Sequence, residues 1–329
     1  MDEAVSKLRV VYMGTPDFAA TILDRVSQWD GAEVVGVYTQ PDRPCGRGQV
    51  CKPSAVKTLA LEKGYDIYQP LNFKEDADVE QLQALKPDVL LVAAYGLILP
   101  QRVLDIATHG AINVHASLLP KYRGAAPIQR AIMNGDPVTG ITIMQMEKGL
   151  DSGPILLQRA LAIGIDDTAG TLHDELAVLG GQLLVEALQK LVVGDLHPKV
   201  QDHDRSTHAA KLTKAEGLLD WSKTALQLHA HLRGISPWPG GYFILERAGK
   251  KSVRVAIEPG TIGADLEEGI AAGTVLGLQD DAIAIATADR VYLVRKLRPA
   301  NKKVMDAKAF ACGYLAQCDD ATCSGEGLC

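Results

Sequence analysis

The sequence predicts an α/β protein whose first part is a doubly wound parallel sheet and whose second part is a small β-barrel. Three observations carry this expectation. Strand-like and helix-like periodicities alternate from residue 8 to about residue 193, the pattern that crossover connections between parallel strands require. Early strands such as LRVVYMG and PDVLLVAA are nearly continuous apolar runs, as strands covered on both faces are. Beyond residue 240, short strands recur with glycine-rich turns between them, which reads as a barrel.

Residues 8–14 form the first strand, and Thr15 and Pro16 open a helix in which Pro16 lies near the first turn, where a missing N–H costs little. That turn holds one glycine and no G-x-G-x-x-G, which disfavours a dinucleotide site. EVVGVYT (33–39) is the second strand. A helix over 54–63, a short strand near Ile67, a helix over 75–85 and the apolar strand 87–94 follow. After Tyr95, Gly96 and a short helix come a strand ending near His115, another from Thr139, and an antiparallel partner within 153–163. Asp166, Asp167 and Thr168 then begin a helix to about residue 193, with Leu172, Leu176, Leu179, Leu183 and Leu184 at helical spacing as a packing stripe. These elements delimit a first domain over 1–194. The polar, aperiodic run 195–212 reads as a linker, and 213–316 as a second domain with a helix at 224–234 and a last helix near 306–316. Residues 317–329 are expected to be a disordered, cysteine-bearing tail.

Composition excludes several classes. A chain of 329 residues, 47% hydrophobic and 22% charged, is that of a globular protein with ample core. No apolar run approaches about 18 residues, so no helical membrane span is expected. MDEAVSKLRV has two acids and no apolar stretch ahead of the first strand, which argues against a signal peptide and for the cytoplasm. Six cysteines fall at 45 and 51 and then at 312, 318, 323 and 329, with no C-x-x-C spacing. Reduced thiols and no metal site are expected. The net charge of −6 hides an asymmetry, because 290–308 hold seven basic residues and one acid.

Candidate chemistry concentrates in GAINVHASLLPKYRGAAPIQR (110–130). Ile112 and Val114 alternate with Asn113 and His115, so an amide and an imidazole project side by side from a strand's carboxyl end. Open α/β sheets bind ligands beyond those ends. An Asn and a His there can stabilise a developing oxyanion and handle a proton. Downstream, Gly149-Leu150-Asp151-Ser152-Gly153 offers a carboxylate in a glycine-flanked loop. A second long loop, QPDRPCGRGQVCKPS (40–54), carries Arg43, Arg47 and Lys52, and planar guanidinium forks suit phosphates and bases.

Asn113-x-His115, Ser117-Leu118-Leu119-Pro120 and the distal Asp151 together resemble the signature of enzymes that transfer formyl groups from 10-formyltetrahydrofolate. MGTPDFA, TQPDRPCGRG, AAYGLILP and RGAAPIQRA narrow the resemblance to the branch of that family whose acceptor is methionyl initiator tRNA. It extends from about residue 8 to about residue 310. The resemblance implies a Rossmann-like catalytic domain, an OB-like C-terminal barrel that contacts tRNA, 10-formyltetrahydrofolate as donor without a metal, and charged initiator methionyl-tRNA and folate as partners of a monomer. It makes Asn113, His115 and Asp151 catalytic: Asn113 donates to the oxyanion, His115 assists or shuttles a proton, and Asp151 supports His115 or accepts the amine's proton with a water. Which of His115 and Asp151 takes that proton stays open. Tyr95, Gly96, Ser117, Leu118, Leu119 and Pro120 would line the pterin pocket, with Ala116 where the family often has Gly. Arg43 and Arg47 would meet the acceptor arm, and Lys211, Lys302 and Lys303 would hold tRNA. The alternative acceptors are an amino-sugar nucleotide, glycinamide ribonucleotide or water; the arginine loop, the KLTKAEGLLDW joint and the basic barrel favour tRNA. The cysteine-bearing tail departs from the family's pattern.

Overall fold

The computed structural model describes residues 7–45, 50–316 and 321–324, so Arg47 lies outside the described residues. The chain divides into a first unit of Met1–Pro127, Val138–Ala162 and His173–Ala209, and a second of Ile128–Pro137, Ile163–Leu172 and Ala210–Cys329.

In the first unit, seven strands form one sheet: β1 (Leu8–Gly14), β2 (Ala32–Tyr38), β3 (Ile67–Tyr68), β4 (Val89–Ala93), β5 (Ala111–His115), β6 (Val138–Gln145) and β7 (Ile155–Ala162). Their spatial order is β7-β6-β5-β4-β1-β2-β3. The pairs from β3 through β5 are parallel, whereas β6 runs antiparallel to β5 and β7 antiparallel to β6. Its helices are α1 (Asp17–Ser27), α2 (Ala55–Lys63), α3 (Asp76–Ala84) and α4 (Gln101–Leu104); α5 (Pro127–Met133) falls in the second unit from Ile128 on, and α6 (Ala169–Val192) belongs to the first unit from His173 on.

Strand alternation distributes the sheet's apolar residues between two helical layers. Val11 and Met13 of β1, Leu90 and Val92 of β4 and Ala111 of β5 share a buried cluster with Val79 and Leu82 of α3 and Val103 and Leu104 of α4. On the other face, Tyr12 donates its hydroxyl to the Ala19 carbonyl of α1 at 2.6 Å, and Gly180 of α6 packs against Val114 of β5 and Ile22 of α1. Burying each such Leu or Val contributes roughly 1.5–3 kcal/mol, so the sheet is the rigid base from which its carboxyl-end loops project. Gly14 permits the tight strand-to-helix turn: a Cβ there would lie 2.6 Å from the Cβ of Ala19. At α2, Ser54 caps the helix by accepting from the Lys57 N–H at 3.0 Å, and its hydroxyl also meets that of Thr39 at 2.7 Å.

The run 195–212 is not a free linker. Gln201 and Ala209 are buried, Lys199 bridges to Ile155, and His208–Ala209 pairs in parallel with Arg123–Gly124. Its polarity serves hydrogen bonds inside the first unit, which composition alone reads as solvent exposure.

The second unit contains β8 (Gly241–Arg247), β9 (Lys250–Ile257), β10 (Thr261–Asp265), β11 (Val275–Gln279), β12 (Ala282–Ala286), β13 (Arg290–Val294), β14 (Lys296–Pro299), β15 (Met305–Asp306) and β16 (Thr322–Ser324). These strands are antiparallel, but among the described residues they do not close into the expected OB-like barrel. They form two sheets, ordered β15-β14-β9-β8-β16 and β10-β13-β12-β11. The chain leaves one sheet for the other at Arg295, and an isolated bridge, Thr274 to Thr322, links them. The tail is likewise not wholly without order: β16 pairs with β8, and Cys323 is buried and donates its N–H to Gly273 at 2.7 Å. Residues 317–320 and 325–329 lie outside the described residues. Helix α7 (Ala225–Gly234) begins at a capping box of Thr224 and Gln227, and α8 (Ala307–Phe310) follows β15. Among the described residues no helix is long and apolar enough to cross a membrane.

Candidate active site

Asn113 and His115 stand two residues apart on β5, hence on one face at its carboxyl end. The Asn113 side chain is half-buried and has no hydrogen-bond partner among the described residues. His115 is buried, and its Nε2 lies 2.9 Å from the Tyr122 carbonyl oxygen. A carbonyl only accepts, so Nε2 carries the hydrogen. Nδ1 is left facing Asp151 Oδ2 at 3.6 Å.

Asp151 is held from several sides. Its φ is +47°, in the left-handed region where Asp is among the better-tolerated residues. Its Oδ2 accepts from the Gly124 N–H at 2.8 Å. Gly124, at φ +120°, belongs to the two-residue pair with His208–Ala209, and Tyr122 beside it donates its N–H to Thr207 Oγ1 at 2.8 Å. Behind the loop, Gln201 donates from Nε2 to the carbonyls of Asp151 at 2.9 Å and Gly153 at 2.7 Å. Its Oε1 accepts from Arg123 Nε at 3.1 Å and Nη2 at 2.7 Å.

The loop 117–120 is fixed by residues the sequence did not single out. Thr142 of β6 donates its hydroxyl to the Ser117 carbonyl at 2.6 Å and accepts from the Leu119 N–H at 3.1 Å. Gln158 of β7 donates to the Leu119 carbonyl at 2.9 Å and to Thr142 Oγ1 at 2.8 Å. Ser117 uses its own hydroxyl on the Lys121 carbonyl at 2.7 Å, closing the turn. Leu119 is buried, while Leu118 and Pro120 are half-buried.

Tyr95 differs from the expected pocket wall. The residue is 2% exposed within the core, where burial pushes its phenol well above the ordinary range. Its carbonyl accepts from Thr15 Oγ1 at 2.9 Å and Gln40 Nε2 at 3.1 Å. Gly96, at φ +80°, leaves the space that the Gln40 side chain occupies. Asn113, His115, Asp151 and the 117–120 loop are thus brought together in the first unit; the tyrosine ring is not part of that group.

Arg43 is exposed at the start of a two-stranded ribbon, Arg43–Cys45 with Val50–Lys52. Lys57, at the loop's foot, is bound to Asp42 and Gln69, and that bond holds the Asp42 carboxyl below its ordinary range. In the second unit Lys211, Lys302 and Lys303 are exposed. There, Arg254, Lys296 and Arg298 line a cavity of about 320 Å³, with the Arg254 guanidinium 3.6 Å above the ring centroid of Tyr242. The sequence reading missed Arg254. Its signal was an Arg diagonal to an aromatic on the neighbouring strand, Arg254 lying opposite Ile244 and Tyr242 opposite Ala256, visible only once the register is known.

The family model described as formyl transferase matches residues 6–188, and that described as formyl transferase, C-terminal domain, matches 211–315. A methionyl-tRNA formyltransferase of Nitratidesulfovibrio vulgaris (strain DP4) is 62% identical over 98% of this chain and 97% of its own length. A methionyl-tRNA formyltransferase of Marinobacter nauticus is 48% identical over 85% of this chain and 88% of its own. Among solved structures, the N-formyltransferase of Helicobacter canadensis, in complex with folinic acid and dTDP-3-aminofucose, shares the fold at a TM-score of 0.63 and 17% identity, over 87% of this chain and 98% of that one. With both family models matched in order and near full-length similarity to these relatives, the chain belongs to the methionyl-tRNA formyltransferases of the formyl transferase family.

Proposed function

We propose that the chain transfers the formyl group of 10-formyltetrahydrofolate to the α-amino group of methionine carried by initiator tRNA. The observation that carries this reading is the convergence, at the carboxyl end of β5, of an amide unpaired among the described residues, an imidazole with one nitrogen committed, and a carboxylate 3.6 Å from the other nitrogen. Similarity along 98% of the chain to relatives named for this acceptor supports tRNA over a small amine.

In this mechanism the neutral amine attacks the formyl carbon. A C–N bond forms and the formyl oxygen becomes an oxyanion. The Asn113 amide donates to that oxygen, and because the charge exists only at and after the transition state, the donor raises turnover rather than substrate affinity. Collapse breaks the bond to N10 of the folate, and the proton lost by the ammonium goes to N10. His115 Nδ1 and Asp151 Oδ2 carry it, since Nε2 is occupied by the Tyr122 carbonyl. The pterin would rest against Leu118, Pro120 and Gly96, with Tyr95 packed behind them.

The tRNA would be held by Arg43 and Arg47, and in the second unit by Lys211, Lys302 and Lys303 together with Arg254, Lys296 and Arg298. None of these second-unit cations pairs with a carboxylate among the described residues. The same reading takes the protein as a cytoplasmic monomer. The test follows labelled formyl from the folate donor to charged initiator methionyl-tRNA, to an amino-sugar nucleotide and to water. Label on the tRNA is expected; label on the sugar, or free formate alone, overturns the acceptor.

A further inference from the structure

We propose that Gln201 is a positioning residue that sets the Asp151 carboxylate against His115. The inference rests on the proposed formyl transfer for its kinetic arm and on geometry alone for its structural arm. Gln201 is 3% exposed, and every hydrogen-bonding position of its amide is used. Nε2 donates to the carbonyls of Asp151 and Gly153, at 2.9 and 2.7 Å, and Oε1 accepts twice from Arg123, at 3.1 and 2.7 Å. Carbonyls only accept and a guanidinium only donates, so this amide has a single orientation in which all four bonds form. Arg123 is steadied in turn by His203, whose Nδ1 lies 3.0 Å from Nη2.

The arrangement closes on itself. Arg123 precedes Gly124, whose N–H holds Asp151 Oδ2 at 2.8 Å. Gln201 therefore joins the strand that grips the carboxylate to the backbone that bears it. Asp151 sits at φ +47°, a conformation that persists only where the surroundings over-determine it. Removing both carbonyl bonds lets the residue relax to negative φ, and the carboxylate then leaves Gly124 and His115 together. Gln201 bonds to backbone and to Arg123, so it acts through Asp151 and not on a substrate.

Two variants separate this from a folding role. Gln201→Met keeps length and removes every bond; Gln201→Glu keeps the acceptor for Arg123 and removes both donors, and serves if the methionine variant does not fold. The structural arm is amide exchange at Gly124 in the full chain, read by NMR on protein labelled at glycine. It is expected to rise by about tenfold or more in either variant, because that N–H loses its acceptor. The kinetic arm expects kcat to fall roughly 10–10²-fold while KM for donor and tRNA stays within about twofold. In an Asp151→Asn background, Gln201→Met should then cost less than about twofold more, since both changes act through one carboxylate. Unchanged Gly124 exchange, a loss confined to KM, or full additivity with Asp151→Asn overturns the proposal. If the wild type forms no formylmethionyl-tRNA, the functional reading fails on its own and Gly124 exchange decides the role of Gln201.

Discussion

Asn113 and Asp151 illustrate opposite ways in which a side chain becomes useful at a site. The Asp151 carboxylate is gripped by a backbone N–H and set 3.6 Å from an imidazole, whereas the Asn113 amide is left without a partner among the described residues. An open donor is what a transient oxyanion requires, because a donor already bonded in the resting enzyme must break that bond first. Asn113→Ala is accordingly expected to lower kcat by roughly 10²–10³-fold and to leave the affinity for a folate donor analogue within about twofold. Steady-state kinetics beside calorimetric binding check this, and a near-normal kcat would remove the amide from the mechanism. The spacing of Asn113 and His115 made both legible in the sequence, since a strand's period of two fixes their shared face. Gln201, Thr142 and Gln158 were not legible: their partners lie 50, 25 and 39 residues away in sequence, and no local pattern marks a polar residue that is buried only by long-range folding. The burial of Tyr95 in the core was not legible either, because the sequence names a residue but not which way its ring turns.

Single elements carry their own electrostatics. In the second unit, His229 of α7 is buried between the Tyr292 hydroxyl at 2.9 Å and the Ile165 carbonyl at 2.9 Å. The Tyr292 oxygen also accepts from the Gly260 N–H at 2.9 Å. Nε2 donates to the carbonyl, the hydroxyl donates to Nδ1, and the chain of bonds is complete only for neutral imidazole. Burial lowers the His229 pKa, and Arg233 adds to that while Asp166 opposes it. The unfolded chain thus binds a proton that the folded one refuses, so this contribution is fully present above about pH 6.5 and is lost as pH falls through the lowered folded value. Urea unfolding of the wild type between pH 7.5 and 5 should show a midpoint that falls more steeply than that of His229→Gln; parallel curves would mean that His229 does not report on folding. The tail strand makes a second element-scale expectation. Cys323 is buried and its thiol is pushed well above its ordinary range by desolvation, whereas Cys312 is exposed. Iodoacetamide should therefore label Cys312 in the native protein and spare Cys323 until unfolding, and equal labelling rates would argue that β16 does not stay paired. Most strands and helices were readable from periodicity, but the antiparallel turn from β5 to β6 and the splitting of the second unit into two sheets depend on which strands pair, and pairing is not a local property.

For the whole molecule, net charge is a poor guide to partners, and the structure sharpens the count. The chain carries −6 overall, yet 290–308 hold seven basic residues. Two of them are already spent: Arg290 pairs with Asp265 at 2.9 Å and Lys308 with Asp281 at 2.8 Å. Arg295 donates to Thr261 at 3.1 Å. Lys296, Arg298, Lys302 and Lys303 remain without a carboxylate among the described residues, and Arg254 joins them from the neighbouring strand, stacked on Tyr242. Cations already paired exchange one acid for another on meeting a phosphate, so they release few counterions; the unpaired ones contribute the salt-dependent part of binding. KM for tRNA should consequently rise steeply with salt while KM for the folate donor stays nearly flat. Each phosphate contact contributes a slope of about 0.9 in log affinity against log salt. Reversing Lys302 and Lys303 to Glu should reduce the slope by roughly two such contacts, and Arg254→Ala with Arg298→Ala by a similar amount. Arg290→Ala, which removes a cation already held by Asp265, should leave the slope unchanged. A salt series on the wild type and the three variants tests this: if all four give parallel lines, the unpaired cations of the second unit do not touch RNA, and the selection of tRNA must lie with Arg43 and its loop.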